Sequence, residues 1–265
     1  DGIVRMRKDK KSRAIFALSP FFQGGIFYLS DSKFWEDRMK KYNIRRYVIL
    51  AMFAALAYAS LFALRISGIG GFLTFDVKDA IITVCAMLFG PAAGVAIALL
   101  VSLLEMITVS GTGPWGFLMN FVGSAVFAAV GSAIYYHAPK LKKTLSGAIV
   151  GLMSSILAMT LCMLVMNLLV TPIYFGISVD SVKEMLLPLL LPFNLIKATL
   201  NAAIVLVLYK PLSTALKKLR VIDGKPESFR LDKKTILLII TGLAVIVACV
   251  LLLILALNGQ FHWHK

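Results

Sequence analysis

Lys197 and the asparagines around it are the residues of this chain best suited by type and spacing to do chemistry. Lys197 falls well inside a long apolar run. A cation at that depth is costly and needs a partner, a wet cavity or a ligand. Snorkelling of its stem to the surface is the plain alternative, and the depth makes the climb long. Asn194, three residues before it, and Asn201, four residues after it, share its helical face. Asn167 and Asn120 fall in two other apolar runs, toward the same end. Each carboxamide offers a donor and an acceptor, which suits a planar heterocycle of carbonyls and ring nitrogens. Any one of them also suits interhelical glue. Four asparagines and a lysine gathered toward one end favour a polar pocket.

Other residues extend the candidate site. Glu105, in a neighbouring run, is a partner for Lys197 or faces an aqueous vestibule. Asp76 and Asp79 flank a helix start, where N-capping and dipole compensation are their ordinary work. Phe72, Phe75, Trp115 and Tyr174 sit in or beside loops at that end, as an interfacial belt or as stacking surfaces for a flat ligand. Ala51, Ala55 and Ala59 recur every four residues and would let another helix approach closely. Enzyme signals are poor. There is no Walker A sequence, no nucleophile–base arrangement, and His262 and His264 form only a tail. Cys85, Cys162 and Cys249 lie in apolar runs at unrelated spacings, as small hydrophobes rather than a disulfide or metal framework.

The elements that must position these residues are membrane-spanning helices. Hydrophobic residues make up 59% of the 265 and charged residues 15%, against about 25% charged in soluble domains. The net charge of +15 does not indicate nucleic acid, because the basic residues occupy short loops between apolar runs. Those runs are predicted near 47–66, 77–89, 92–109, 117–136, 145–170, 189–208 and 235–257. The second is short for a full span. A Gly-rich loop, 67–76, follows the first, and a polar connector, 176–184, precedes the sixth. Lys40, Lys41, Arg45 and Arg46 before run one, Lys140, Lys142 and Lys143 after run four, and the linker beyond run six alternate as cytoplasmic loops should. The chain divides into an N-terminal extension, 1–38, a six-helix core, 39–220, a basic cytoplasmic linker, 221–234, and an additional helix and tail, 235–265. Met39-Lys40-Lys41-Tyr42 looks like a bacterial start, so 1–38 reads equally as misassigned leader or as a genuine extension, and is set aside from the fold.

Several segments together resemble one family. Phe72-Leu73-Thr74-Phe75-Asp76 with Asp79, Phe89-Gly90-Pro91-Ala92-Ala93-Gly94, and Pro192-Phe193-Asn194-Leu195-Ile196-Lys197 are similar to motifs of the substrate-binding S components of energy-coupling factor (ECF) vitamin transporters, the riboflavin type above all. Asn167 ahead of Thr171-Pro172-Ile173-Tyr174, and Phe117 to Gly123 with Asn120, add to the likeness, which covers about 39–218. Departures are Ala198 where the family usually has Gly, and Val101 and Ser102 where it often has Lys-Asn.

The resemblance implies an all-α polytopic protein of the bacterial plasma membrane. It implies capture of riboflavin or a related flavin from outside, and delivery with a T component and two ATPase subunits that use the ATP; no cofactor of the chain's own is implied. Leu73, Thr74, Asn120, Asn167, Asn194 and Lys197 would contact the vitamin, with Phe75, Asp79, Glu105, Tyr174 and Asn201 as further pocket candidates. Ala51, Ala55 and Ala59 would dock the T component. An S component for another vitamin, or a membrane scaffold without substrate, are the alternatives.

Overall fold

The computed structural model of the chain describes residues 26–67, 73–218 and 233–256. Its contacts divide the chain into two units, Asp1–Arg46 and Tyr47–Lys265. Helix α1 runs over Ile26–Ala63. Of the extension read as leader, residues 1–25 lie outside the described residues, as do Phe72, most of the basic linker, and the tail with His262 and His264.

The second unit carries the cavity. After α1, the strands β1 (Ile66–Ser67) and β2 (Thr74–Phe75) pair antiparallel, Ile66 opposite Phe75. The helices α2 (Lys78–Phe89), α3 (Pro91–Thr108), α4 (Gly113–His137) and α5 (Leu145–Phe175) follow. Gly90, at φ 103, turns the chain between α2 and α3, and Pro91 opens α3 with its fixed φ. Thr144 caps α5 by accepting from the Gly147 amide at 3.0 Å.

Several boundaries differ from the sequence expectation: α1 starts at Ile26 rather than near 47, and two others differ at prolines. α5 passes through Pro172 and stops only at Gly176, which takes φ 65 in the left-handed region. The supposed connector 176–184 is largely helical. α6 (Val179–Met185) leads through a π-helical turn, Leu186–Leu190, into α7 (Leu191–Lys218). Pro188 and Pro192 have no amide to donate, and the Leu191 amide reaches back five residues to the Leu186 carbonyl. Intramembrane prolines are tolerated where neighbours absorb the freed carbonyls.

Burial follows the inverted logic of a membrane protein. Leu157, Leu161 and Leu169 on α5 are 60%, 63% and 60% exposed, while Glu105, Asp79 and Lys78 are at most 1% exposed. Apolar faces look outward to lipid, and ionisable groups face the bundle interior. Among the described residues, five helical stretches are long and apolar enough to cross a membrane, Arg46–Ala63, Pro91–Thr108, Gly113–His137, Leu145–Phe175 and Val179–Ala215. α2, with 12 residues, is short of the roughly 20 needed. The chain is an all-α polytopic membrane protein. α8 (Lys233–Ala256) lies along α7, and a Cβ on its Gly242 would meet Val207 at 2.7 Å.

The α4–α5 crossing depends on two glycines. A Cβ on Gly151 would meet the Gly131 carbonyl oxygen at 2.5 Å, and one on Gly131 would meet Ser155 Oγ at 2.6 Å. At Gly151 backbone stands against backbone, so no side chain can yield there. Gly151→Ala is expected to push the helices apart and cost about 1–3 kcal/mol, read as a lowered unfolding temperature in detergent. Gly111→Ala, whose Cβ meets nothing within 4 Å, should melt within about 1 kcal/mol of the parent.

Candidate functional site

The end of the bundle where α4 begins and α5 ends holds a cavity of about 430 Å³. Ligand sites commonly span about 300–1,000 Å³. The cavity gathers Leu73 and Thr74 of the hairpin, Asp79 of α2, Asn120 of α4, Asn167 and Tyr174 of α5, and Asn194 and Lys197 of α7. Trp115, Phe193 and the methionines Met119, Met159 and Met163 supply much of its apolar wall. Gly123 keeps that wall open, since a Cβ there would lie 3.2 Å from Met163 Sδ.

Three candidates do not line it. Phe75 is 4% exposed and packs on Phe193, ring centroids 4.5 Å apart. Asn201 works as a cap on another helix. Its Oδ1 accepts from the Ala80 amide at 2.9 Å, and its Nδ2 donates to the Asp76 carbonyl at 3.1 Å. The Ala80 amide in the first turn of α2 is thereby satisfied from α7, and neither Asp76 nor Asp79 caps the helix with its side chain. Glu105 is fully buried and takes its ion pair from Lys78, not from Lys197.

The two aspartates instead belong to a buried ladder of charge. Lys197 Nζ donates to Asp76 Oδ2 at 2.9 Å and to the Thr74 carbonyl at 3.2 Å. Asp76 Oδ2 lies 3.9 Å from Lys78 Nζ, Lys78 bonds Glu105, and Glu105 Oε1 lies 3.7 Å from Arg65 Nη1. Asp79 stands beside them and accepts from Ser124 Oγ. Arg65, Lys78 and Lys197 formally balance Asp76, Asp79 and Glu105. Such pairing is what lets six ionisable groups sit inside a membrane bundle. It also ties the β1–β2 hairpin to α7 through Lys197.

The asparagines keep hydrogen-bonding capacity for the cavity. Asn194 donates to the Leu190 carbonyl at 2.8 Å, and its Oδ1 takes no hydrogen bond among the described residues. Asn167 donates to the Met163 carbonyl at 2.7 Å and accepts from Thr171 Oγ1 at 3.0 Å, which leaves one amide hydrogen and one lone pair. Asn120 makes no hydrogen bond among the described residues.

Residues 45–209, more than half of the chain, match the family described as ECF transporter, substrate-specific component. The chain belongs to that family. The S component is 29% identical to the riboflavin transporter RibU of Staphylococcus aureus over 182 residues, 66% of this chain and 94% of the relative. It is 24% identical to the riboflavin transporter FmnP of Bacillus subtilis, over 64% of this chain and 94% of the relative. A solved S component of a bacterial ECF transporter superposes with a TM-score of 0.55 at 29% identity, covering 65% of this chain and 97% of that one. S components bind substrate and are not enzymes, and this one is a multi-pass membrane protein of an importer.

Within the S component, Ala51, Ala55 and Ala59 are exposed on α1, while Phe53, Ala54 and Ala57 on the opposite face are buried. α8 lies beyond the matched residues. Sequence reasoning missed Lys78 and Arg65 as interior groups. Both sit at the margins of apolar runs, where a cation ordinarily reaches water. The one signal for them was the excess of acid nearby, since Asp76, Asp79 and Glu105 together need more than Lys197 to balance them.

Proposed function

We propose that this S component captures riboflavin or a closely related flavin in the cavity and presents it for import. The observation that carries the reading is the convergence of Asn120, Asn167, Asn194 and Lys197 in one cavity whose apolar wall is rich in aromatic and methionine side chains. A flavin ring has a polar edge of alternating carbonyls and nitrogens and two apolar faces. Carboxamides and an ammonium answer the edge, and methionine and aromatic side chains answer the faces. The names of the two relatives support the same ligand. The test is to purify the protein without added vitamin, identify what co-purifies by mass spectrometry, and titrate the stripped protein with riboflavin by fluorescence quenching. Flavin in the preparation and stoichiometric quenching are expected. Binding of other vitamins with none of riboflavin would sink the reading.

The cavity faces the outside and the basic loops the cytoplasm. Lys140, Lys142 and Lys143 follow the far end of α4 from the cavity, and positive loops stay inside. The exposed alanine face of α1 receives the T component, which links the S component to the ATPases. Ala55→Trp is expected to leave riboflavin titration within about twofold of the parent, because Ala55 lies on the outer face of α1, away from the cavity. The same variant should lose most co-purification with the T component, since a bulky ring blocks close helix approach. Unchanged co-purification would move the docking surface elsewhere.

A further inference from the structure

We infer that Arg65 is a second ligand-reading group, donating its guanidinium N–H bonds to the hydroxyls of a neutral polyol tail on the ligand. The inference rests on the flavin reading, whose ring edge is assigned to Lys197 and the asparagines.

Arg65 borders the cavity immediately before β1. Its side chain is 11% exposed, and its Nε and Nη1 are buried without a hydrogen-bond partner among the described residues. The carboxylate that faces it, Glu105 Oε1, stands 3.7 Å away, beyond hydrogen-bond reach, and lacks a hydrogen bond as well among the described residues. Burying guanidinium donors unsatisfied is expensive, and such groups persist where a ligand completes them. Glu105 is held in place by Lys78, so the guanidinium stays beside it and its donors remain available.

The chemistry of the missing acceptor follows from charge. Arg65 and Lys197 are the two ends of one ladder, and both border the cavity, while Asp76, Lys78 and Glu105 between them do not. With three cations against three carboxylates, the ladder offers donors without net positive charge. Hydroxyl oxygens satisfy those donors and leave the balance intact. A phosphate would add one or two unbalanced negative charges in a low-dielectric site. A ligand that spans the ladder therefore sets its ring at Lys197 and an uncharged, hydroxylated chain at Arg65.

The experiment compares three probes on the stripped full-length protein and on Arg65→Lys. The probes are riboflavin, lumiflavin (the same ring without the polyol) and riboflavin 5′-phosphate. Arg65→Lys keeps the charge balance and removes the planar fork of donors. Riboflavin affinity is expected to fall roughly ten- to a hundred-fold in the variant, and lumiflavin affinity by less than about threefold. In the parent protein, the phosphate ester is expected to bind more weakly than riboflavin. Equal losses for riboflavin and lumiflavin, or no loss for either, would overturn the role of Arg65. A phosphate ester that binds more tightly than riboflavin would overturn the neutral-tail assignment. Failure of the parent to bind riboflavin or lumiflavin at all would instead remove the flavin reading beneath it.

Discussion

Lys197→Met is expected to lower riboflavin affinity by at least about a hundred-fold and to destabilise the protein in the same stroke. On the proposed flavin reading, the binding loss reflects a charged hydrogen bond to the ring edge given up, together with loosening of the β1–β2 hairpin that Lys197 ties to α7. The stability loss has a separate origin. Lys197 holds Asp76 Oδ2 at 2.9 Å and the Thr74 carbonyl at 3.2 Å, and Asp76 Oδ1 has no hydrogen bond among the described residues. With the lysine gone, Asp76 keeps only the distant Lys78, and a stranded buried carboxylate costs about 3–5 kcal/mol. The two effects separate in the double variant Lys197→Met with Asp76→Asn. Neutralising Asp76 removes the stranded charge, so the unfolding temperature should recover while riboflavin titration stays weak. Recovery of binding along with stability would make Lys197 a latch for the hairpin and take it out of the ligand site.

A second large effect is expected at Lys78, which does not line the cavity. Lys78→Met leaves Glu105, fully buried, without its ion pair and with only Arg65 at 3.7 Å. The expected cost is about 3–5 kcal/mol, seen as a large drop in thermal stability and poor yield in detergent. Adding Glu105→Gln should return much of it, because a neutral carboxamide no longer needs a cation. The pair works as a unit, so the double variant should be more stable than Lys78→Met alone. A double variant as unstable as the single would mean that Lys78 acts through packing rather than charge. Ligand affinity in the rescued protein is expected to stay within about tenfold of the parent, since both residues lie behind the cavity wall.

Much of this was legible in the sequence because its signals are local. A run of twenty apolar residues announces a span whatever surrounds it, since the bilayer solvates every side of the helix alike. The spacing of Asn194, Lys197 and Asn201 put all three on one face of α7 from the helical repeat alone. Lys197 stood out because a buried cation is expensive, and Asn120, Asn167, Asn194 and Lys197 do converge on one cavity. The end of α5 was placed before Pro172 because proline ends helices in water, and 176–184 was read as a connector because it is polar. In this bundle α5 runs through Pro172 and α7 is reached through a π turn closed by the Leu191 amide on the Leu186 carbonyl, and membrane bundles tolerate such prolines where neighbours absorb the freed carbonyls.

What the sequence by itself determined is the class of protein, the helices and the polar face that looks into the bundle. Which charge meets which was decided only in three dimensions. Asn201 spends its carboxamide on α2, Asp76 and Asp79 abandon the helix start for Lys197 and Ser124, and Glu105 takes Lys78. Pairing within a buried ladder depends on distances of a few ångströms between helices far apart in the chain. No spacing along the sequence encodes those distances, and in a low-dielectric interior they set which groups are satisfied and which are left for a ligand.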